Sequence, residues 1–368
     1  MLSSIGLGYI LPFLAVITVV VFFHELGHFW VARLCGVRVD AFSIGFGRAL
    51  TSWTDKKGTV WKIGWLPMGG YVKFYGDDSV ASNPDAEKLS QLSEEDKQEI
   101  FHFKPLWQRA AIVAAGPFAN FLLAIVIFTG LFSIFGERVV TPVVNEVVAE
   151  SAAARAGFQS GDVILSVNGA QVDSFSDVQR VVKLNPETNL EFMVNRGGVE
   201  TLLLARPDLR VEKDRFGNVY NVGRLGISNA NDPQYIQHIR HDPITAIGMG
   251  VKETNFIITQ TFVSIGRIIV GRESADALGG PIRIAQISGE MASIGLAAFI
   301  NLVALISVSI GLINLFPVPM LDGGHLLFYS FEAVLGRPLP EKVQETSMRI
   351  GLALVLMLFI FVTWNDLT

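Results

Sequence analysis

An apolar helix that ends in a polar motif decides the fold of this chain: residues 5–23 carry no charge and run directly into His24-Glu25-Leu26-Gly27-His28. As an α-helix, residues 5–23 span about 28 Å, which crosses most of a bilayer. The two imidazoles lie one turn apart on one helix face, a spacing typical of two zinc ligands with Glu25 as a general base for hydrolysis. Because polar groups at membrane depth are costly and usually functional, the sequence predicts a zinc peptidase in or at the membrane.

A structural interpretation of the same motif stands beside the catalytic one. His24 and His28 can be interfacial residues at a helix end, with Glu25 paired to Arg33 or to a lipid headgroup. A third ligand from elsewhere in the chain favours the metal site, because catalytic zinc takes three protein ligands.

The composition is that of a membrane protein. Hydrophobic residues make up 50% of the chain and charged residues 17%, and the mean hydropathy is +0.43; soluble chains carry about 25% charged residues. Further uncharged runs at 110–135, 294–321 and 350–365 bring the predicted number of transmembrane helices to four. The first run lacks a basic leader, which argues against a cleaved signal peptide.

Basic residues near the ends of the spans predict the orientation. Residues 33–109 carry eleven Lys and Arg, and residues 322–349 carry three. We therefore expect both termini outside and the first and third connections in the cytoplasm. Asp322, the first charge after the third span, then reaches the depth of His24 and His28, near the cytoplasmic face. Asp322 is thus a candidate third ligand, although it can instead merely cap the following turn.

The segment after the first span alternates apolar and polar residues around glycines at 59–74, which predicts a hairpin of short strands near the membrane face. Strand addition to an exposed edge is a general way to hold an extended peptide. An ordinary packed hairpin explains the pattern equally well. Residues 77–99 are acid-rich and predict a mobile loop with a short helix.

After the second span the composition becomes that of a soluble domain. Strands are predicted at 139–148, 190–194 and 200–204, and residues 152–169 run from a short helix through a glycine turn and a strand into an Asn-Gly turn.

Residues 208–240 are polar and are interpreted as irregular. Asp242-Pro243 predicts the start of a helix that continues to about Gly271. We interpret that helix as interfacial or packed on the bundle, and not as a fifth span, because its uncharged stretch is short and polar.

Two further motifs accompany the one in the first span: Gly116-x-x-x-Asn120 in the second, and Asn314-x-x-Pro317-x-x-x-Leu321-Asp322-Gly323 at the end of the third. Together the three resemble the site-2 protease family of intramembrane zinc metallopeptidases, especially its regulator of sigma-E protease branch. The run 152–169 resembles a PDZ domain of the bacterial protease type. The segment Met68–Lys73 resembles the membrane-reentrant β-element that holds substrate in that family.

The resemblance implies a polytopic α-helical membrane protein with four transmembrane helices, a membrane-associated β-hairpin and one inserted PDZ-like α+β domain. It implies that His24, His28 and Asp322 ligate one Zn2+ and that Glu25 is the catalytic base. Asn120 is implied as a polar helper near the substrate or the oxyanion, although a hydrogen bond between spans accounts for it as well. His325 is interpreted as a bystander. The implied substrate-binding residues are Met68, Gly69, Gly70, Tyr71 and Asn314.

The implied function is hydrolysis of peptide bonds inside transmembrane segments of single-span proteins that another protease has already cleaved. Anti-sigma-factor-like proteins and remnant signal peptides are such substrates, and the process is regulated intramembrane proteolysis in the bacterial inner membrane. The PDZ domain would bind peptides in the periplasm. We expect the lipid bilayer as a partner and no nucleic acid, since no basic stripe is visible.

Two other functions are compatible with parts of the sequence. A non-catalytic PDZ scaffold would need only the periplasmic domain, and a divalent-metal transporter would use His24, His28 and Asp322 as its transport site. Enterobacterial members of the branch carry two PDZ domains, whereas one signature is legible here.

The predicted division of the chain is transmembrane helix 1 with the zinc motif (1–35), cytoplasmic loop with the hairpin (36–107), transmembrane helix 2 (108–136), periplasmic PDZ domain (137–208), periplasmic linker and interfacial helix (209–293), transmembrane helix 3 (294–321), cytoplasmic loop that begins with the third ligand (322–346) and transmembrane helix 4 (347–366).

Overall fold

The computed structural model describes residues 6–76, 94–213, 219–229, 235–271 and 279–367. The chain divides into two compact units. One unit contains residues 1–129, 247–261 and 279–368, and the other contains residues 130–246 and 262–278.

The elements of the described residues follow in chain order. The first group is α1 (Leu7–Leu34), β1 (Val39–Thr54), β2 (Val60–Phe74), α2 (Glu94–Lys97) and α3 (Leu106–Gly130). The second group is β3 (Glu137–Val140), β4 (Glu146–Val147), α4 (Ala152–Ala156), β5 (Val163–Val167), β6 (Ala170–Gln171), α5 (Phe175–Leu184), β7 (Leu190–Arg196), β8 (Val199–Ala205), β9 (Asp208–Lys213), β10 (Val219–Arg224), β11 (Ile227–Ser228) and β12 (Ile236–Ile239). The third group is α6 (Pro243–Ile269), α7 (Pro281–Ile294), α8 (Leu296–Asn314), α9 (Asp322–Leu335) and α10 (Glu341–Leu367).

Four helices are long and apolar enough to cross a membrane, as the sequence predicts. Within the described part of the chain these spans are Gly8–Leu34, Leu106–Phe135, Leu296–Asn314 and Lys342–Leu367. The third ends seven residues before the predicted limit at 321, because Pro317 and Pro319 cannot donate the amide hydrogen bonds that a helix needs. The predicted loop that begins at residue 322 instead starts with helix α9.

Strands β1 and β2 form a long antiparallel hairpin that folds back beside itself. Phe42 pairs with Val72 on one side and with Trp61 on the other, so β1 lies between the two halves of β2 at this point. Gly45 and Gly69 have φ values of 83° and 119°, which glycine adopts without steric cost, and both lie where the register shifts. Glycine therefore permits the bend that a regular hairpin lacks.

Hydrogen bonds fix the hairpin along helix α1. Arg33 donates to Asp55 (2.7 Å) and to Thr59 (2.6 Å) near the turn of the hairpin. Thr18 donates through Oγ1 to the carbonyl oxygen of Pro67 (3.2 Å). Between Arg33 and Thr18 the helix rises about 22 Å, so part of β2 lies level with the middle of an apolar helix.

The C-terminal helix is tied to the start of α7. Asp366 accepts hydrogen bonds from the amides of Gly280 (2.8 Å), Ile282 (3.0 Å) and Arg283 (3.1 Å). The first amides of a helix have no partner within it, so Asp366 supplies the capping oxygens for α7. Helix α7 in turn packs closely on α1, where a Cβ atom at Gly289 would overlap with α1 side-chain atoms.

The second unit contains a β domain with a four-stranded sheet in the order β6-β5-β7-β8. Its core is formed by buried aliphatic side chains together with Phe158 and Phe192, whose rings meet edge to face at 5.3 Å. Asn168 and Gly169 join β5 to β6 with φ values of 49° and 76°, the two left-handed residues of a tight hairpin turn. The strands predicted near residues 190 and 200 are present as β7 and β8.

The interpretation of residues 208–240 as irregular is wrong. Strands β9 and β10 pair with each other, β11 pairs with β4, and β12 pairs with β3. The partners of β11 and β12 lie about 80–100 residues earlier in the chain, and strands of two to four residues are too short to show a period of two. The β domain therefore continues beyond the predicted end at residue 208.

Helix α6 begins where the sequence predicts. Asp242 accepts hydrogen bonds from the amides of Ile244 (3.0 Å) and Thr245 (3.2 Å), and Pro243 occupies the first turn. Within the predicted acid-rich loop at 77–99, α2 covers Glu94–Lys97, and residues 77–93 lie outside the described residues.

Candidate metal centre

Helix α1 brings the two histidines of the motif together. His24 and His28 are one turn apart, and their Nε2 atoms are 3.2 Å from each other. The rings meet edge to face with centroids 4.8 Å apart, and both side chains are almost fully buried. The helix thus presents two imidazole nitrogens to one point.

Asp322 reaches the same point from the first turn of α9. Its Oδ2 atom lies 3.2 Å from Nε2 of His24 and 3.6 Å from Nε2 of His28, and it is buried without a hydrogen-bond partner in the described part of the protein. Burial alone would raise the pKa of the Asp322 carboxyl, but the neighbouring imidazoles, when protonated, hold that pKa below its ordinary range. Met320 approaches this turn with φ of 88°, a strained value for a residue with a side chain.

The spacing of the three donor atoms fits a zinc ion. Nitrogen and oxygen ligands that lie about 2.0–2.1 Å from tetrahedral zinc are about 3.3 Å from one another. The observed separations are 3.2, 3.2 and 3.6 Å. Two histidines and one carboxylate form the usual ligand set of a catalytic zinc, and the fourth position remains for water or substrate.

Helix α3 supports both imidazoles from one face. The carbonyl oxygen of Ile112 accepts a hydrogen bond from Nδ1 of His28 (2.9 Å), which leaves the lone pair of Nε2 directed at the centre. At Gly116 an added Cβ atom would lie 2.2 Å from Nε2 of His28, so only glycine leaves room for the rings. Asn120 follows one turn later, with Nδ2 3.4 Å from Nδ1 of His24.

These supporting positions recur every fourth residue on α3. The sequence reasoning included Asn120 but missed the roles of Ile112 and Gly116. The signal for Gly116 was the Gly-x-x-x-Asn spacing itself, since small residues in spans mark close helix contacts. Ile112 acts through its main chain, which leaves no trace in the residue type.

The hairpin lies against Glu25, the acidic residue of the motif. The amide of Val72 in β2 donates a hydrogen bond to the Glu25 carboxylate. An added Cβ atom at Gly70 would lie 3.2 Å from Cγ of Glu25, so the strand edge and the carboxylate are in direct contact. Glu25 therefore sits between the paired imidazoles and the edge of β2.

The structure does not contain the alternative pairing of Glu25 with Arg33. Arg33 pairs with Asp55. His325 lies in α9 and is not part of the cluster of donor atoms within 4.8 Å, which among the described residues contains His24, His28 and Asp322.

The remaining predicted site residues occupy the hairpin and the end of α8. Met68 lies in β2, but its side chain is outside the described part of the structure. Gly69 packs on the ring of Phe46, and Tyr71 stacks on the same ring at 6.3 Å. Asn314 is the last residue of α8 and is half-buried.

The site consists of two imidazoles and one carboxylate, with the Glu25 carboxylate beside them. Three of these four groups come from α1, a helix long enough to cross a membrane. Such a site defines a membrane-bound zinc peptidase. The family comparison makes the class more specific. The chain matches the model of peptidase family M50 over residues 12–358. It belongs to this family, the site-2 proteases, and is a zinc metalloprotease.

Relatives from other organisms carry names of the same kind. "Putative zinc metalloprotease Atu1380" of Agrobacterium fabrum is 49% identical over 361 residues, which cover 98% of this chain and 96% of that protein. "Metalloprotease MmpA" of Caulobacter vibrioides is 41% identical over 376 residues, which cover 96% of this chain and 94% of that protein.

Proposed function

We propose that this metalloprotease cleaves peptide bonds within the transmembrane segments of single-span membrane proteins. His24, His28 and Asp322 hold the zinc ion, and Glu25 is the catalytic base. The observation that carries the proposal is that the three donor atoms meet at one point beside Glu25. This point lies on the side of α1, a helix long enough to cross a membrane. Membership of the family favours this function over the PDZ scaffold and the metal transporter.

Glu25 has the position of a proton carrier. It takes the proton of the attacking water and delivers it to the nitrogen of the leaving amine. The amide of Val72 orients the carboxylate beside the paired imidazoles. Zinc, when bound, supplies the Lewis acid that polarises the scissile carbonyl and acidifies the water.

The edge of β2 is the proposed binding site for the substrate backbone. Met68, Gly69, Gly70 and Tyr71 form this edge, and Asn314 supports the same site. A substrate helix has to unwind before cleavage, because its carbonyl groups are hydrogen-bonded within the helix. Pairing with the β2 edge offsets the lost hydrogen bonds and places the extended backbone next to Glu25.

The proposed setting is the bacterial inner membrane. The excess of basic residues after the first span supports periplasmic termini and a zinc site near the cytoplasmic face. The β domain acts as a PDZ domain that binds peptides in the periplasm, as the run 152–169 suggests. The substrates are proteins already cut by another protease, such as anti-sigma-factor-like proteins and remnant signal peptides, in regulated intramembrane proteolysis.

Replacement of Glu25 tests the proposal. Glu25→Gln should keep zinc and lower the cleavage of a single-span reporter by about 100-fold or more, since the base is lost and the ligands remain. Asp322→Asn should weaken zinc binding as well as cleavage. Zinc content and reporter cleavage are measured on the same purified protein.

Glu191→Gln, a change of the same kind on an exposed strand position, is the control and should alter neither readout. Normal cleavage by Glu25→Gln would contradict the assignment of the base. Unchanged zinc content in Asp322→Asn would support the alternative that Asp322 only caps a turn.

A further inference from the structure

Asn120 contacts the side of the His24 ring that faces away from the metal position. Its Nδ2 atom lies 3.4 Å from Nδ1 of His24, whereas Nε2 is the atom directed at His28 and Asp322. A group that stabilises the oxyanion has to reach the open coordination position instead. The contact of Asn120 is therefore with a ligand of the proposed zinc ion.

The Asn120 side chain is fully buried and has one unused atom. Its Oδ1 atom has no hydrogen-bond partner within the described part of the protein. A buried acceptor without a partner costs about 1–3 kcal/mol, so such an atom calls for an explanation.

The chemistry of a zinc-bound imidazole decides which atom of the amide faces His24. When Nε2 of a neutral imidazole binds zinc, the remaining hydrogen is on Nδ1, which must then donate. The atom of Asn120 that faces Nδ1 of His24 must therefore be an acceptor, and Oδ1 is the only acceptor in that side chain. A half-turn of the amide brings Oδ1 into the position of Nδ2 without changing the shape of the side chain.

The surroundings of Asn120 hold it in this place. Its main-chain oxygen accepts a hydrogen bond from Oγ of Ser307 in α8 (2.8 Å). A Cβ atom at Gly311 would lie 3.1 Å from Cβ of Asn120, so α8 and α3 are in close contact here. Ser307 is also fully buried. Packing of α3 on α8 thus fixes the backbone position of Asn120, from which its side chain reaches Nδ1 of His24.

From this geometry we infer that Asn120 is a positioning residue for zinc, which accepts a hydrogen bond from Nδ1 of His24 and so fixes the ring for binding through Nε2. His28 has the equivalent support from the carbonyl oxygen of Ile112. Both histidine ligands are then oriented from α3, by positions two turns apart on one face. The inference rests on the proposed zinc site and replaces the expected role of Asn120 at the oxyanion.

Zinc affinity separates the two roles of Asn120. The full-length protein in detergent micelles is titrated with zinc against a competing chelator. Asn120→Leu removes the acceptor and should weaken zinc binding about 10- to 100-fold. Asn120→Asp keeps an acceptor, forms a carboxylate–histidine pair, and should bind zinc at least as tightly as the unaltered protein.

Ser307→Ala is the control, because it removes the contact to the main chain of Asn120 and leaves the amide in place; its zinc affinity should stay within about threefold. Unchanged affinity in Asn120→Leu would overturn the inference, as would an equal loss in Asn120→Leu and Asn120→Asp. Unaltered protein that takes up no zinc would overturn the proposed site itself, and so the two failures are distinguishable.

Discussion

Gly116 is the residue that gives the imidazoles their space. A methyl group there would lie 2.2 Å from Nε2 of His28 and 2.9 Å from Cε1 of His24, well inside contact distance. We expect Gly116→Ala to turn or displace both rings and to weaken zinc binding by about 10-fold or more, as loss of ligand support does elsewhere. Chelator competition on the purified protein measures the change.

The matched control lies on the same helix. At Gly130 an added Cβ atom would meet nothing within 4 Å, so Gly130→Ala should leave zinc affinity unchanged. If Gly116→Ala bound zinc as well as Gly130→Ala, the rings would have to be free to move, and the close fit seen between α1 and α3 would not matter for the ion.

At the level of single residues, the sequence allowed the prediction of site residues that act through their side chains. The spacing of His24 and His28 and the position of Asp322 after a span were enough to predict that they converge. The carbonyl of Ile112 and the amide of Val72 were out of reach, because every residue type carries these groups. Their use depends on the approach of distant helices and strands, which a local pattern does not encode.

At the level of elements, long apolar or alternating segments were predictable and short strands were not. The four apolar helices and strands β7 and β8 have patterns of sufficient length. Strands β11 and β12 are stabilised by pairing with β4 and β3, far away in sequence. Their formation is decided by tertiary contacts and not by the local pattern.

One pH-dependent contact lies in the β5–β7 region of the β domain. Asp162 is fully buried and accepts two hydrogen bonds from Arg196 (2.7 and 2.8 Å). Burial alone would raise the pKa of Asp162, but Arg196 and the amide of Gln159 lower it below its ordinary value. The pair therefore stabilises the domain above about pH 4, and this contribution is lost as the pH falls toward the folded pKa.

Asp162→Asn should therefore destabilise the β domain by about 2 kcal/mol near pH 7, because charge-assisted hydrogen bonds are lost. The difference between the variant and the unaltered protein should shrink below about pH 4. The full-length protein is unfolded with urea at each pH, and a hydrogen-exchange pulse at one fixed pH then labels the unfolded fraction. Exchange at the amides of β5 and β7 measures the stability of this region.

The exposed pair of Arg155 with Asp208 provides the comparison. Both side chains are more than a third exposed, so Asp208→Asn should cost less than about 1 kcal/mol. If Asp162→Asn and Asp208→Asn lowered the free energy of unfolding equally, burial of the Asp162–Arg196 pair would not add to its contribution to stability.

At the level of the first unit, helices α1 and α10 are connected through α7. Helix α10 buries few of its side chains, as expected for a span with a lipid-facing surface. It contacts the turn before Asp322 at Gly351, where a Cβ atom would lie 2.0 Å from the carbonyl oxygen of Pro319. At its other end, Asp366 caps α7, which packs on α1. The helix that carries the histidines and the turn that carries Asp322 are thus joined through α10.

Loss of the Asp366 cap should loosen this connection. Asp366→Ala leaves the amides of Gly280, Ile282 and Arg283 without their acceptor and should cost about 1 kcal/mol, the usual value of a helix cap. Asp366→Asn keeps one acceptor oxygen for Ile282 and Arg283 but loses the oxygen that accepts from Gly280, so that variant should lose less stability than Asp366→Ala. Thermal unfolding in detergent micelles measures both. If the two variants lost equal stability, the negative charge of Asp366 and not its capping geometry would hold α10 to α7. If neither lost any, packing such as that at Gly351, and not the Asp366 cap, would hold α10 in place.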